Sequence, residues 1–417
     1  MVKGLLGNAP LRRVRAGAMV ALISALLAGC GGRPYGTLIA TAPDPAAGNV
    51  DLMVATTRAP VVQPAGVMFG GTRGNGYDFA DIVVSIPPTH RPGEVAWPSS
   101  GAADPSRDFA VLRADRLTLA EAKANFDRRV RAAPGRRVLV FVHGFNTRFE
   151  EAVYRFAQIV YDSNVKVAPV LFTWPSGGNV TDYVYDRDSA LFSRDGLEKL
   201  LQFLADDPNV GSVSVLAHSM GNYVAVEALR QMAIRDRGLP TKIRDVMLAS
   251  PDIDVDVFRR QIATIDASPR QTQFTIFVSR DDRALRLSSL IARDSTRLGA
   301  LDPTKEPYAS MLKESRVKVI DLTSMSSDDF TNHGKFASGE VVEAIGSRLA
   351  SGQQLNNGGG GVVESIGALA GGTIGLAAGV ATEAISAPTV LTDPTRQEKS
   401  VDTAQDSVAL EPINPGK

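Results

Sequence analysis

The chain has 417 residues, 44% of them hydrophobic and 22% charged, the balance of an ordinary globular protein with ample core. Its 45 basic and 45 acidic side chains cancel, so no basic field is available to attract nucleic acid. A single cysteine, Cys30, excludes any intrachain disulfide.

From the amino end, Lys3, Arg12, Arg13 and Arg15 precede an apolar run over residues 16–27. The run is too short to cross a bilayer and suits the core of a signal peptide. It ends in Leu27-Ala28-Gly29-Cys30, which resembles the bacterial lipobox. The resemblance implies cleavage before Cys30, diacylation of its thiol and acylation of the new amino group. Several acyl chains hold a protein firmly on a membrane where one does not. Gly31 follows, not the aspartate associated with inner-membrane retention in enteric bacteria. Residues 1–30 are therefore expected to be a lipoprotein signal peptide, with the mature protein anchored in the cell envelope at the outer membrane, facing the periplasm. Residues 31–49, rich in Pro, Gly, Ala and Thr, are expected to form a flexible tether.

The folded domain is expected over residues 50–350. Residues 50–57 and 80–86 read as strands, 58–78 as a long loop, and 119–130 as a helix. His90, in a proline-rich turn, reads as a surface histidine. Residues 137–142 (RVLVFV) are continuously apolar, as parallel strands covered on both faces tend to be. They deliver His143-Gly144-Phe145-Asn146, followed by an amphipathic helix over 148–162. A strand at 167–173 closes with Trp174-Pro175-Ser176. Tyr183, Tyr185 and Asp186 are expected on a loop walling a substrate site, ahead of a helix over 189–205.

Residues 213–222 (VSVLAHSMGN) run as strand, sharp turn and helix, with Ser219 at the turn. This pattern reads as a nucleophile elbow, in which a strained serine projects from the top of a sheet. The residues two before and two after must be small, and here they are Ala217 and Gly221. Strands at 242–249, 273–278 and 316–322 and a closing helix over 335–349 follow. Strands alternating with helices predict a mostly parallel sheet covered on both faces.

A nucleophilic serine needs a base to take its proton and an acid to orient that base, in the order Ser, Asp, His along the chain. Of the four histidines, His90 and His143 precede the serine, and His218 adjoins it and should point away, which leaves His333. Asp282 ranks first for the acid, Asp252 is the alternative, and Asp281 comes third. The surplus acids are expected to pair with Arg280, Arg283 or backbone N–H groups. The backbone N–H groups of Phe145 and Met220 are expected to form the oxyanion hole, with His143 holding its loop. No phosphate-binding glycine loop or zinc-ligand cluster is present in the sequence, so no cofactor and no metal is expected.

His143–Asn146, Trp174–Ser176, Ala217–Gly221, Pro251–Asp254 and Asp282–Leu285 together resemble the motifs of an α/β-hydrolase family known mainly as a domain of unknown function. The resemblance covers about residues 50–350. It implies the α/β-hydrolase fold and a serine hydrolase of no settled substrate, and its Asp-x-Ala-Leu segment supports Asp282 as the acid. The expected activity is cleavage of a carboxylic ester through an acyl-enzyme. The alternatives are an acyltransferase and a non-catalytic envelope lipoprotein that uses the fold as an interaction scaffold.

Residues 351–417 are set apart. They are uncharged from 365 to 382, with Gly367, Gly371, Gly375 and Gly379 at spacing four. On a helix these would form one smooth stripe suited to close packing, in a membrane or against another copy. The low-complexity, disordered alternative stands beside this, and residues 388–417 are expected to be disordered.

Overall fold

The computed structural model describes residues 33–350, apart from 99–101, 268–271, 294, 316 and 328. The expected signal peptide, Cys30 and the glycine-rich tail lie outside the described residues.

Among the described residues nine strands form one sheet: β1 (Gly48–Pro60), β2 (Phe69–Ile86), β3 (Ala110–Leu117), β4 (Arg137–Val142), β5 (Ala168–Thr173), β6 (Ser212–His218), β7 (Ile243–Ala249), β8 (Gln273–Val278) and β9 (Lys318–Asp321). Their spatial order is β3-β2-β1-β5-β4-β6-β7-β8-β9. The β1–β2 and β2–β3 pairs are antiparallel, and all the others are parallel. Val142 lies opposite Ala217, His218 opposite Ala249, and Ala249 opposite Phe277. The loops that follow β4, β6, β7 and β8 therefore all leave from one edge of the sheet, where ligands of parallel α/β sheets gather.

The continuous apolar runs are explained by two buried faces. On one, Val138, Val140, Val142, Val215 and Leu248 pack with α1 (Leu119–Ala132), α3 (Tyr183–Asp206), α4 (Gly221–Asp236) and α5 (Val255–Asp266). On the other, Leu139, Phe141, Leu216 and Met247 meet α2 (Phe149–Asp162) and α8 (Gly339–Ala350). Successive side chains of a strand point to opposite faces, so a strand buried on both has no polar position to spare. Two smaller helices, α6 (Arg283–Ile291) and α7 (Tyr308–Glu314), lie between β8 and β9.

Several expectations are corrected. The loop expected over 58–78 is the far end of a long hairpin, with Arg58 paired to Arg73 and Pro60 to Phe69 across register shifts. Gly74 marks a close backbone approach, since a side chain there would stand 2.8 Å from Arg58 O. Tyr183, Tyr185 and Asp186 lie in the first turns of α3, which begins six residues earlier than its expected start at 189. The closing helix is broken into a short 3₁₀ turn, Lys335–Ala337, and α8. The segment expected as a free tether is laid along the domain from Arg33 onward: Thr37 and Leu38 are buried, and Ala40 bridges to Val111. His90 is no surface histidine, for its ring bonds Asp162 Oδ1 at 2.5 Å and stands edge-on to Phe109 and Tyr161.

Candidate active site

Ser219 follows the last residue of β6, and α4 begins two residues later. Its φ is +52°, the left-handed region that a serine occupies only when its surroundings impose it. The turn is held from three sides. Ser219 N–H donates to Ala249 O at 2.9 Å, and Ser219 O accepts from Asn222 Nδ2 at 2.9 Å and from Asp252 N–H at 3.2 Å. Gly221 admits no side chain, because a Cβ there would lie 2.3 Å from His143 O and 2.7 Å from Val142 O. The methyl of Ala217 is accommodated in the sheet between β4 and β7.

His333 and Asp282 come together from loops 51 residues apart, with His333 Nδ1 and Asp282 Oδ2 separated by 2.7 Å. Asp282 is wholly buried, and its other oxygen accepts Leu285 N–H, capping α6. One carboxylate thus fixes a helix and an imidazole. Burial would lower the His333 pKa, but the Asp282 charge and hydrogen bond outweigh it and raise it above the ordinary value. The loop carrying His333 is tied by Asp329, whose Oδ2 accepts from both His333 N–H and Gly334 N–H. His218 lies half-buried beside this pair: its ring stacks on Phe336 and stands 4.7 Å from the His333 ring. Burial, then the neighbouring His333, hold the His218 pKa well below normal. It packs as a neutral wall between the His333 ring and Phe336.

Asp252 and Asp281 do not bond His333. Asp252 accepts Tyr183 Oη–H at 2.9 Å and Ser288 Oγ–H at 2.5 Å and lies 3.2 Å from Arg297 Nε. Asp281 pairs with Lys335 Nζ and accepts Ser279 Oγ–H and Asn332 Nδ2–H. The partners of these surplus acids are therefore Arg297 and Lys335, not the expected Arg280 and Arg283.

The loop after β4 lies against the elbow, with the Cβ position of Gly144 only 2.8 Å from Ser219 Cβ. His143 Nδ1–H donates to Gly144 O at 2.9 Å, while its Nε2 accepts from Trp174 N–H at 3.1 Å. Carbonyl and N–H point opposite ways across a trans peptide. By holding the Gly144 carbonyl, His143 directs the Phe145 N–H the other way. Among the described residues neither Phe145 N–H nor Met220 N–H donates to another group. The one on Met220 sits at the N-terminus of α4, where the helix dipole favours negative charge.

Two supports of this loop were not foreseen as such. Arg58 is fully buried, donates to Gly70 O, Ser176 O and Thr147 O, and places Nη2 3.3 Å from His143 Nε2. Burial lowers its pKa to about 10, and its charge helps keep His143 neutral. Asp186, also buried, accepts from Ser176 Oγ at 2.5 Å, Gly177 N–H at 2.7 Å and Asn146 N–H at 3.1 Å. Trp174 is both core and support: it is fully buried, stacks on His143 and donates Nε1–H to His143 O at 2.8 Å.

Ser219, His333, Phe145 and Asp252 line one cavity of about 230 Å³, closed by apolar side chains including Leu287, Ile291 and Phe330. Ser219 Oγ makes no hydrogen bond among the described residues. Nucleophile–base hydrogen bonds are often long in unliganded enzymes and tighten on substrate binding. No cluster of three metal-ligating side chains occurs among the described residues.

A largely parallel sheet covered by helices, with a serine elbow and a later histidine on a carboxylate, defines an α/β hydrolase. The chain belongs to the family described as alpha/beta hydrolase of unknown function (DUF900), which matches residues 118–348. The uncharacterized protein alr1448 of Nostoc sp. (strain PCC 7120) is 25% identical over 135 residues, 26% of this chain and 35% of that protein. The chain thus spans about a third of the length of this curated relative. Among solved structures, a lipase-esterase related protein from Clostridium acetobutylicum aligns over 52% of this chain and 93% of its own, at 10% identity and a TM-score of 0.28. A structure from a study of two Rhizomucor miehei esterases aligns over 66% and 78%, at 13% identity and the same TM-score.

Proposed function

We propose that this α/β hydrolase is a serine hydrolase that cleaves a carboxylic ester, anchored in a bacterial envelope through acylated Cys30 and facing the periplasm from the outer membrane. Ser219 Oγ attacks the acyl carbonyl as His333 Nε2 takes its proton. Asp282 holds the imidazole in the tautomer with Nδ1–H and stabilises the imidazolium. The N–H groups of Phe145 and Met220 receive the oxyanion. Collapse of the tetrahedral intermediate expels the alcohol, which takes the proton from His333 and leaves the acyl group on Ser219. Water, deprotonated by the same histidine, then releases the acid and restores the serine.

The observation that carries this reading is the 2.7 Å His333–Asp282 contact, opening on the same cavity as a serine held at φ +52°. Hydrolysis of short acyl esters should fall by about 10³-fold or more in Ser219→Ala and in His333→Ala, with melting temperatures close to that of the unaltered protein. Unchanged turnover in either variant would remove that residue from the mechanism.

A further inference from the structure

The family match begins at residue 118, so residues 33–47 lie outside it, yet they reach the candidate site. Arg33 is the link. Its guanidinium donates to Asn146 Oδ1 at 2.8 Å, to Asn146 O at 2.6 Å and to Gly178 O at 2.9 Å, and it forms a two-pronged pair with Glu151 at 2.6 and 2.5 Å. Asn146 lines the cavity with Ser219. A bidentate arginine–carboxylate pair fixes both distance and orientation, as a single ammonium contact would not. The amino-terminal strap is therefore fastened at the rim of the cavity.

Cys30 is three residues before Arg33, and three residues span at most about 11 Å. If Cys30 carries acyl chains, these enter the bilayer within that reach of the cavity rim. The surface there has the chemistry of a membrane interface. Leu290 and Phe330 are each 61% exposed, Tyr35 54% and Ile291 53%. Phe330 and Ile291 line the cavity, as do Arg283 and Leu287, which lie seven and three residues before Leu290 on α6, a spacing that puts all three on one side of a helix. Arg283 lies over the Phe330 ring at 4.5 Å, and Arg148 over the Tyr35 ring at 5.6 Å. Aromatic rings backed by arginines suit the boundary between acyl chains and anionic headgroups.

We propose that the mouth of the cavity is the face this protein turns to the lipid bilayer, held there by the Arg33 clamp on the strap that follows Cys30. The proposal rests on the envelope-anchored reading given above, and the occupant of the exposed apolar rim is the membrane itself. Lys166 supplies the contrast: it is exposed just before β5, at the opposite end of the parallel strands from the cavity.

The test uses the full-length lipidated protein in vesicles of phosphatidylethanolamine and phosphatidylglycerol, with an environment-sensitive fluorophore on Leu290→Cys or on Lys166→Cys. Acylation of Cys30 leaves no other thiol. Lipids spin-labelled on their acyl chains should quench most of the emission at 290 and little at 166. Adding Arg33→Ala should bring quenching at 290 down toward that at 166. Equal quenching at both positions, no quenching at 290, failure of the protein to stay with the vesicles, or indifference to Arg33→Ala would each overturn the proposal. Quenching does not depend on turnover and should be the same in a Ser219→Ala background, so a failure of docking and a failure of the serine chemistry are separate results.

Discussion

Asp282 and Asp252 are both buried acids near Ser219 in the fold, and their partners separate them. Asp282 gives one oxygen to His333 and the other to the start of α6, whereas Asp252 is committed to Tyr183, Ser288 and Arg297. Asp282→Asn should lower kcat by about 10³-fold, because an amide no longer stabilises the imidazolium or selects the Nδ1–H tautomer. Asp252→Asn should cost stability, about 3 kcal/mol by chemical denaturation, as the buried Arg297 loses its charge partner. Exchange of these two outcomes would move the acid to the earlier strand. The raised pKa of His333 sets the pH profile. The base must be neutral to accept a proton, so kcat/KM should rise with pH through a midpoint above 6.5 and be lost as pH falls below it. A midpoint at or under the ordinary histidine value would contradict the Asp282 pairing.

At the scale of elements, the site is assembled where four strand ends align, and one glycine sets how closely they approach. Gly221→Ala would place a methyl 2.3 Å from a backbone carbonyl that cannot swing away, and it should destabilise the fold by about 3 kcal/mol in a denaturant titration. A loss below about 0.5 kcal/mol would mean that α4 and β4 are not packed as described. Much of this region was legible in the sequence because its signals are local. RVLVFV reads as a strand with two buried faces, and Ala217 to Gly221 reads as an elbow, without knowledge of any distant residue. The supports were harder to read for the opposite reason. Arg58 meets Ser176 O across 118 positions, and Arg33 meets Asn146 across 113. Glycine-rich residues 69–76 carry weak strand propensity, and only pairing with β1 makes them a strand. His90 reads as a surface histidine until Asp162 of α2 is brought beside it.

For the whole molecule, the amino-terminal part outside the family match is no simple addition. It contributes β1 to β3 to the sheet, and it supplies Arg58 and Arg33, which donate to Thr147 O and Asn146 O of the loop after β4. Among the described residues no helix is long and apolar enough to cross a membrane. With 45 charges of each sign, the chain also lacks a net field to hold it on anionic lipid. On the reading proposed above, acylated Cys30 is the anchor and the strap that follows it sets the orientation. The proposed mechanism requires Ser219 to be an activated nucleophile. Its most direct measurement is covalent labelling by a fluorophosphonate probe of the protein without residues 1–30, beside its Ser219→Ala variant. The account predicts that the unaltered protein is labelled and the variant is not. A folded protein that takes up no label, or a variant that labels equally, would contradict it.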